Sequence, residues 1–264
     1  MRKPFVLASL VLLASVSFAQ GLKPVRGVGL NVHAQKLPIA RLKAIGIEWV
    51  RIDLQRKDWN RDRAQQLFKH YKNDFGILWI VYQDFPDPAA HALELMRMGV
   101  RDIEIFNEPK MAGIHPRDYA RKFKDVQQAV KGRARLYGPS LSTWTNERYY
   151  LNEAKAHGMK DFIPAVHFYW EGTPEETARK WRAQAPDAVC TEITFPDDYR
   201  RQLGIKSIGE AFLRSKKAFQ GLTWCWYRGP NPDKVDTGLF DWDGAEFTRP
   251  NATYWEIHRA LNGR

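Results

Sequence analysis

Two glutamates close short runs that are otherwise mostly apolar. Glu108 ends Ile103-Glu104-Ile105-Phe106-Asn107-Glu108, and Glu192 ends Ala188-Val189-Cys190-Thr191-Glu192. Two carboxyl groups held about 5–5.5 Å apart across a sugar suit hydrolysis of a glycosidic bond by double displacement, one attacking carbon while the other manages protons. Other runs end in polar or aromatic residues too: Asn31 with His33, Arg51 with Asp53, His167 with Tyr169, and Trp224 with Trp226. Residues two apart on a strand share a face, so each pair is expected to project into one interior. His33, His115 and His167 lack the His-Glu-x-x-His spacing of a zinc hydrolase, so neither a metal nor another cofactor is expected. Cys190 and Cys225 fall on opposite parity relative to their strands' expected inward residues. Free, buried thiols on different sides are expected, with a disulfide as the alternative for an exported chain.

A scaffold must bring these run ends together. The strand candidates are Gly27–Val32, Trp49–Leu54, Gly76–Tyr82, Asp102–Phe106, Ala134–Gly138, Ala165–Tyr169, Ala188–Ile193 and Leu222–Tyr227. Between and after them lie stretches of helical period: Ile39–Ile45, Ala64–Asn73, Pro88–Met98, Pro116–Val130, Glu147–His157, Pro174–Ala185, Ile208–Phe219 and Tyr254–Leu261. Repeated strand-then-helix units over residues 20–264 predict a single-domain α/β fold, a (β/α)8 TIM barrel, whose function gathers where the carboxyl ends of the strands open. A doubly wound sheet is the alternative, but Gly27-Val28-Gly29-Leu30-Asn31-Val32 does not supply its G-x-G-x-x-G turn. Strands four and seven face each other across such a barrel, which sets Glu108 opposite Glu192. Strict alternation cannot send both Asn107 and Glu108 inward, so the pleat must break there, by a bulge or by ending at Pro109. On that reading Ile103 and Ile105 line the barrel with Asn107, while Glu104 faces the helices in a salt bridge.

With 264 residues, 44% of them hydrophobic, the chain buries a substantial core, which excludes intrinsic disorder. Two cysteines exclude a disulfide scaffold. The net charge of +11 permits acidic partners without establishing any. Arg2 and Lys3 precede an apolar run from Phe5 to Val16, then Ser17-Phe18-Ala19. Residues 1–19 therefore read as a cleaved export signal, giving a secreted or periplasmic monomer with no stable membrane anchor. Basic residues lie scattered along helices, with no basic arm or motif, so no nucleic-acid partner is expected.

The run Ile105-Phe106-Asn107-Glu108-Pro109, the later Val189-Cys190-Thr191-Glu192, His167-Phe168-Tyr169 between them and Trp224-Cys225-Trp226 after them resemble the large clan of retaining glycoside hydrolases built on a (β/α)8 barrel. Gly27–His33, Glu48–Asp53, Gly238–Asp241 and Arg249-Pro250 add to the likeness. The resemblance implies Glu108 as acid/base and Glu192 as nucleophile, acting on a polysaccharide or oligosaccharide. It implies that Asn107 binds the hydroxyl beside the reacting carbon, Tyr169 hydrogen-bonds the nucleophile, His167 fixes that shell, Arg51 supports the charge of Glu192, and Trp224 forms the floor under the sugar. Asn31, His33 and Trp226 complete the expected substrate-binding set. The third strand departs from the clan by lacking a terminal His, leaving Tyr82 or Gln83 for sugar contact. Trp144, Tyr149, Tyr150, Trp170, Tyr199 and Trp242 fall near strand-to-helix loops, where loop packing and sugar contact are both open. Trp59 and Trp181 are expected in the core. The alternative reading is a carbohydrate-binding barrel without turnover.

Overall fold

A computed structural model describes residues 25–169, 171–195, 197–227, 230–231, 235–236, 240–242 and 247–262. The expected export signal, Trp170, Gly238 and Leu239 lie outside them, as do the side chains of Asp241, Trp242 and Arg249. The repeating units run β1 (Val28–Asn31), α1 (Ile39–Ala44), β2 (Trp49–Ile52), α2 (Arg61–Tyr71), β3 (Gly76–Val81), α3 (Pro88–Met98), β4 (Asp102–Ile105), α4 (Pro116–Val130), β5 (Arg135–Tyr137), α5 (Trp144–Ala156), β6 (Ala165–Phe168), α6 (Pro174–Gln184), β7 (Val189–Ile193), α7 (Asp197–Gln202), α8 (Ile208–Ala218) and β8 (Trp224–Trp226). Short strands β9 (Pro230–Asn231), β10 (Val235–Asp236), β11 (Phe240–Trp242) and β12 (Phe247–Pro250) follow, then α9 (Ala252–Asn262). The eight strands and eight helices expected from the sequence are all present. The short helix α7 was not foreseen.

Strands β1 to β8 pair in parallel in the order β5-β4-β3-β2-β1-β8-β7-β6. Parallel bridges from Tyr137 to Ile163 and from Leu141 to Val166 span the remaining seam between β5 and β6. The fold is a (β/α)8 barrel. Its helices start where local chemistry satisfies their first N–H groups. Asn60 caps α2, Asp87 caps α3 ahead of Pro88, and Thr173 with Glu176 makes a capping box for α6. Along α4, Tyr119, Phe123, Val126 and Val130 recur at helical spacing and are buried against the sheet.

Two apolar shells result. An outer shell between strands and helices takes Leu30, Val50, Ile103, Ile105, Phe123 and Trp181. Inside the barrel, Trp49, Leu78, Tyr137, Ala165, Val189 and Cys225 converge from six strands. The Trp49 indole fills this floor so closely that a Cβ on Gly29 would come within 2.3 Å of it, which is why β1 carries glycine there. Cys190 belongs to the outer shell and Cys225 to the inner one, both free and buried. They lie on different sides as expected, with the sides exchanged.

Candidate active site

The inward parity of the floor continues to the mouth. On β2, Trp49 is followed two residues later by Arg51, which is fully buried. Its guanidinium reaches two carboxylates. Nε donates to Glu104 Oε2 at 2.6 Å, Nη2 to Glu104 Oε1 at 3.0 Å, and Nη1 to Glu192 Oε1. Nη2 also donates to Asn107 Oδ1 at 2.8 Å. Burial opposes this charge, but Glu104 and then Glu192 outweigh it and hold the guanidinium pKa well above its ordinary value.

Glu104 therefore faces the interior, not the helices. It also accepts from Ser140 Oγ and, at 3.0 Å, from Thr191 Oγ1. Ile103 and Ile105 point outward. The parity reverses after them because β4 ends at Ile105, earlier than Pro109, and the next residues turn left-handed: Phe106 has φ 64° and Glu108 φ 45°. Non-glycine residues rarely adopt that region. Here it turns Phe106 out against Tyr119 and brings Asn107 and Glu108 together to the cleft wall. A register irregularity between Cys190 and Ile193 does the same on β7, letting the consecutive Thr191 and Glu192 both reach the interior.

The carboxyl groups of Glu108 and Glu192 meet at one imidazole. His167 Nδ1 lies 3.0 Å from Glu108 Oε1 and 3.7 Å from Glu192 Oε2, so the separation of those oxygens cannot exceed the sum of the two distances. Tyr169 donates its hydroxyl to Glu192 Oε2. Burial, and then Glu192, push the Tyr169 pKa well up, so the phenol keeps the proton it donates. Burial alone would raise the Glu108 pKa too. The His167 hydrogen bond and charge, followed by Arg51, outweigh it and hold the carboxyl below its ordinary value. The free protein thus presents Glu108 with its carboxyl pKa lowered, not raised.

A cleft of about 930 Å³ lies over this pair, walled by the segments after β1, β2, β3 and β4 and by the ends of β6, β7 and β8. His33, Asn107 and Tyr169 line it, as do Tyr82 and Gln83. Asn31 is fully buried; its Oδ1 accepts from the His33 N–H at 3.1 Å, holding His33 at φ 49° with Nδ1 2.6 Å from Asp53 Oδ2. Arg51 and His167 are likewise fully buried behind the carboxylates. These three position the wall without lining it.

Trp224 and Trp226 are not at the cleft. Both are buried in the outer shell, Trp224 against Phe212 and Phe219, and Trp226 against Phe195 and Phe212. The inward residues of β8 are Cys225 and, past its end, Tyr227, which lines the cleft edge-on to His33 and Tyr169. Burial and then Glu192 push the Tyr227 hydroxyl up to about 12. Sequence reasoning missed Tyr227, although it shares parity with Cys225. Of the loop aromatics, Trp144 and Tyr150 are buried, Tyr199 stacks on Phe195, and Tyr149 is exposed. Trp59 packs edge-on against Trp79, Phe85 and His91, and Trp181 is fully buried. Among the described residues no cluster of His, Cys, Asp and Glu could hold a metal, and no helix is long and apolar enough to cross a membrane.

No protein-family model and no curated protein matches the chain. Solved structures do. An endo-β-1,3-glucanase of family GH128, subgroup II, from Pseudomonas viridiflava is 18% identical with a TM-score of 0.56, over 88% of this chain and 96% of that one. A subgroup I endo-β-1,3-glucanase variant from Amycolatopsis mediterranei, in complex with laminarihexaose, is 15% identical with a TM-score of 0.59, over 89% and 98%. A GH39 β-xylosidase from Caulobacter crescentus is 14% identical with a TM-score of 0.58, over 92% and 72%. In fold, this chain is a (β/α)8 barrel of the kind these glycoside hydrolases share.

Proposed function

We propose that the chain is a retaining glycoside hydrolase acting on a polysaccharide or oligosaccharide, with Glu192 as nucleophile and Glu108 as acid/base. One observation carries the reading: both carboxyl groups reach the same His167 nitrogen at the mouth of the barrel. The distance this allows fits the spacing of about 5–5.5 Å used by retaining enzymes and barely touches the inverting range, about 6.5–9.5 Å.

Glu192 is the more buried of the two, its side chain 9% exposed against 27% for Glu108, and it alone receives both the Arg51 guanidinium and the Tyr169 phenol. Its carboxylate attacks the anomeric carbon as the glycosidic C–O bond breaks, and Glu108 delivers a proton to the departing oxygen. Glu108 then takes a proton from water, the water oxygen attacks the same carbon, and Glu192 leaves as a carboxylate. Asn107, fixed through its Oδ1 by Arg51, stands next to Glu108 on the wall, where a sugar hydroxyl beside the reacting carbon would lie. Export ahead of Gln20 belongs to the same reading, since it would place the protein among cell-wall and matrix polysaccharides.

β-1,3-Glucan is the first substrate to test, because two of the similar structures are endo-β-1,3-glucanases. The test is hydrolysis of laminarin, xylan, mannan and aryl glycosides by the wild type, Glu108→Ala and Glu192→Ala. Turnover of at least one substrate, lost in both variants, is expected. No turnover, with glycan binding unchanged in both variants, would instead make the barrel a carbohydrate-binding protein.

A further inference from the structure

The positive charge of this chain is not spread evenly. Residues 114–160 hold ten Lys and Arg against four Asp and Glu, more than half of the chain's excess of eleven. The fold gathers part of this charge into a second concavity, of about 590 Å³, on the outside of the barrel between α4 and the end of α5. Its lining is His115, Arg117, Asp118, Arg121, Lys124 and His157. Arg117, Arg121 and Lys124 recur at spacings of four and three, so they form one stripe on α4, while Tyr119, Phe123 and Val126 are buried toward the sheet.

Little of this charge is cancelled locally. Asp118 meets Arg121 at 3.3 Å, in an exposed pair, and Glu153 meets His115 at 3.7 Å. Arg117 and Lys124 reach no carboxylate within 4 Å among the described residues. The Lys124 ammonium is held in place by the His157 carbonyl at 3.3 Å. The groove also adjoins the cleft along the chain: Met111 and Ala112 line the cleft, and Ile114 leads directly into His115, the cap of α4. Helices that follow barrel strands begin at the mouth, so the groove starts beside it and runs down the outer wall.

We propose that this groove binds an acidic polysaccharide, its carboxylate or sulfate groups meeting Arg117, Arg121 and Lys124, and so holds the enzyme against an anionic matrix while the cleft works. A single-stranded nucleic acid fits less well, because the lining offers no Phe, Tyr or Trp on which bases would stack. Binding here needs no turnover in the cleft, so this proposal stands or falls apart from the glycosidase reading.

The experiment measures affinity for sodium polygalacturonate by gel retardation and calorimetry at low ionic strength, with neutral dextran and duplex DNA as comparators. Two variants are compared with the wild type: the groove triple Arg117→Ser/Arg121→Ser/Lys124→Ser, and a triple that removes the same charge elsewhere, Arg179→Ser/Lys206→Ser/Lys217→Ser. The wild type and the second triple are expected to bind polygalacturonate alike, and the groove triple at least about tenfold more weakly, with an unchanged melting temperature. Absence of wild-type binding, equal weakening by both triples, or tighter binding to DNA than to polygalacturonate would overturn the proposal.

Discussion

At the floor of the lumen, Trp49, Leu78, Tyr137, Ala165, Val189 and Cys225 interlock as an apolar layer, and the charge of Asp102 is met by Arg135 at 2.5 and 2.6 Å and by Tyr137 at 2.7 Å. One layer higher, the same inward positions hold Arg51, Glu104 and His167, all fully buried, with Glu192 nearly so. Burying charges costs several kcal/mol per ion, and a well-packed apolar layer is often the more stable alternative. The floor shows that this chain can build such a layer. The mouth forgoes it, and the groups retained there are those the proposed double displacement would use, with Glu104 behind Arg51 to fix its guanidinium.

The contrast breaks most visibly at Glu192. Its replacement by Ala is expected to cut turnover on the order of 10⁴-fold or more, measured on the best substrate found, while the fold persists by circular dichroism. Arg51→Met comes next. Removing the guanidinium strands Glu104 and Glu192, so a loss of about 3–5 kcal/mol by urea unfolding is expected, together with loss of turnover. If Arg51→Met proves as stable as the wild type, unpaired carboxylates at the mouth carry no penalty and the contrast with the floor fails.

Strand β8 offers a sharper version, since its two faces were read in reverse. Trp224→Ala opens a hole in the outer shell and is expected to cost about 3–5 kcal/mol of stability, with kcat/KM per folded molecule close to wild type. Tyr227→Ala, at the cleft, should lower kcat/KM with a much smaller change in melting temperature. The opposite pattern would restore Trp224 to the sugar floor.

The smallest expected effect is a pH shift. His167 lowers the Glu108 pKa, so His167→Asn lets it rise. The alkaline limb of kcat/KM, where the acid loses its proton, then moves to higher pH. A limb that stays put or moves to lower pH would show that His167 does not depress the Glu108 pKa.

The barrel was legible because each strand run is bounded and the helices between them carry an apolar period, several behind a capping side chain. Both carboxylates were legible because a charge ending an apolar run stands out. The facing of individual residues was not. Strands of a closed parallel barrel are apolar on both sides, so Trp224-Cys225-Trp226 reads equally well in either orientation. Counting back from Asn107 also misplaced Glu104, since the left-handed turn at Phe106 switches parity and no glycine announces it. The Thr191-Glu192 irregularity is silent in the sequence for the same reason.

The most direct test of a shared site is covalent trapping. A panel of 2-deoxy-2-fluoroglycosyl fluorides of gluco, xylo, manno and galacto configuration is incubated with the protein, and the labelled peptide is sequenced by mass spectrometry. One stoichiometric ester on Glu192 is expected, absent in Glu192→Ala. A label on Glu108 or on another carboxylate, or hydrolysis that proceeds with inversion at the anomeric carbon, would contradict it.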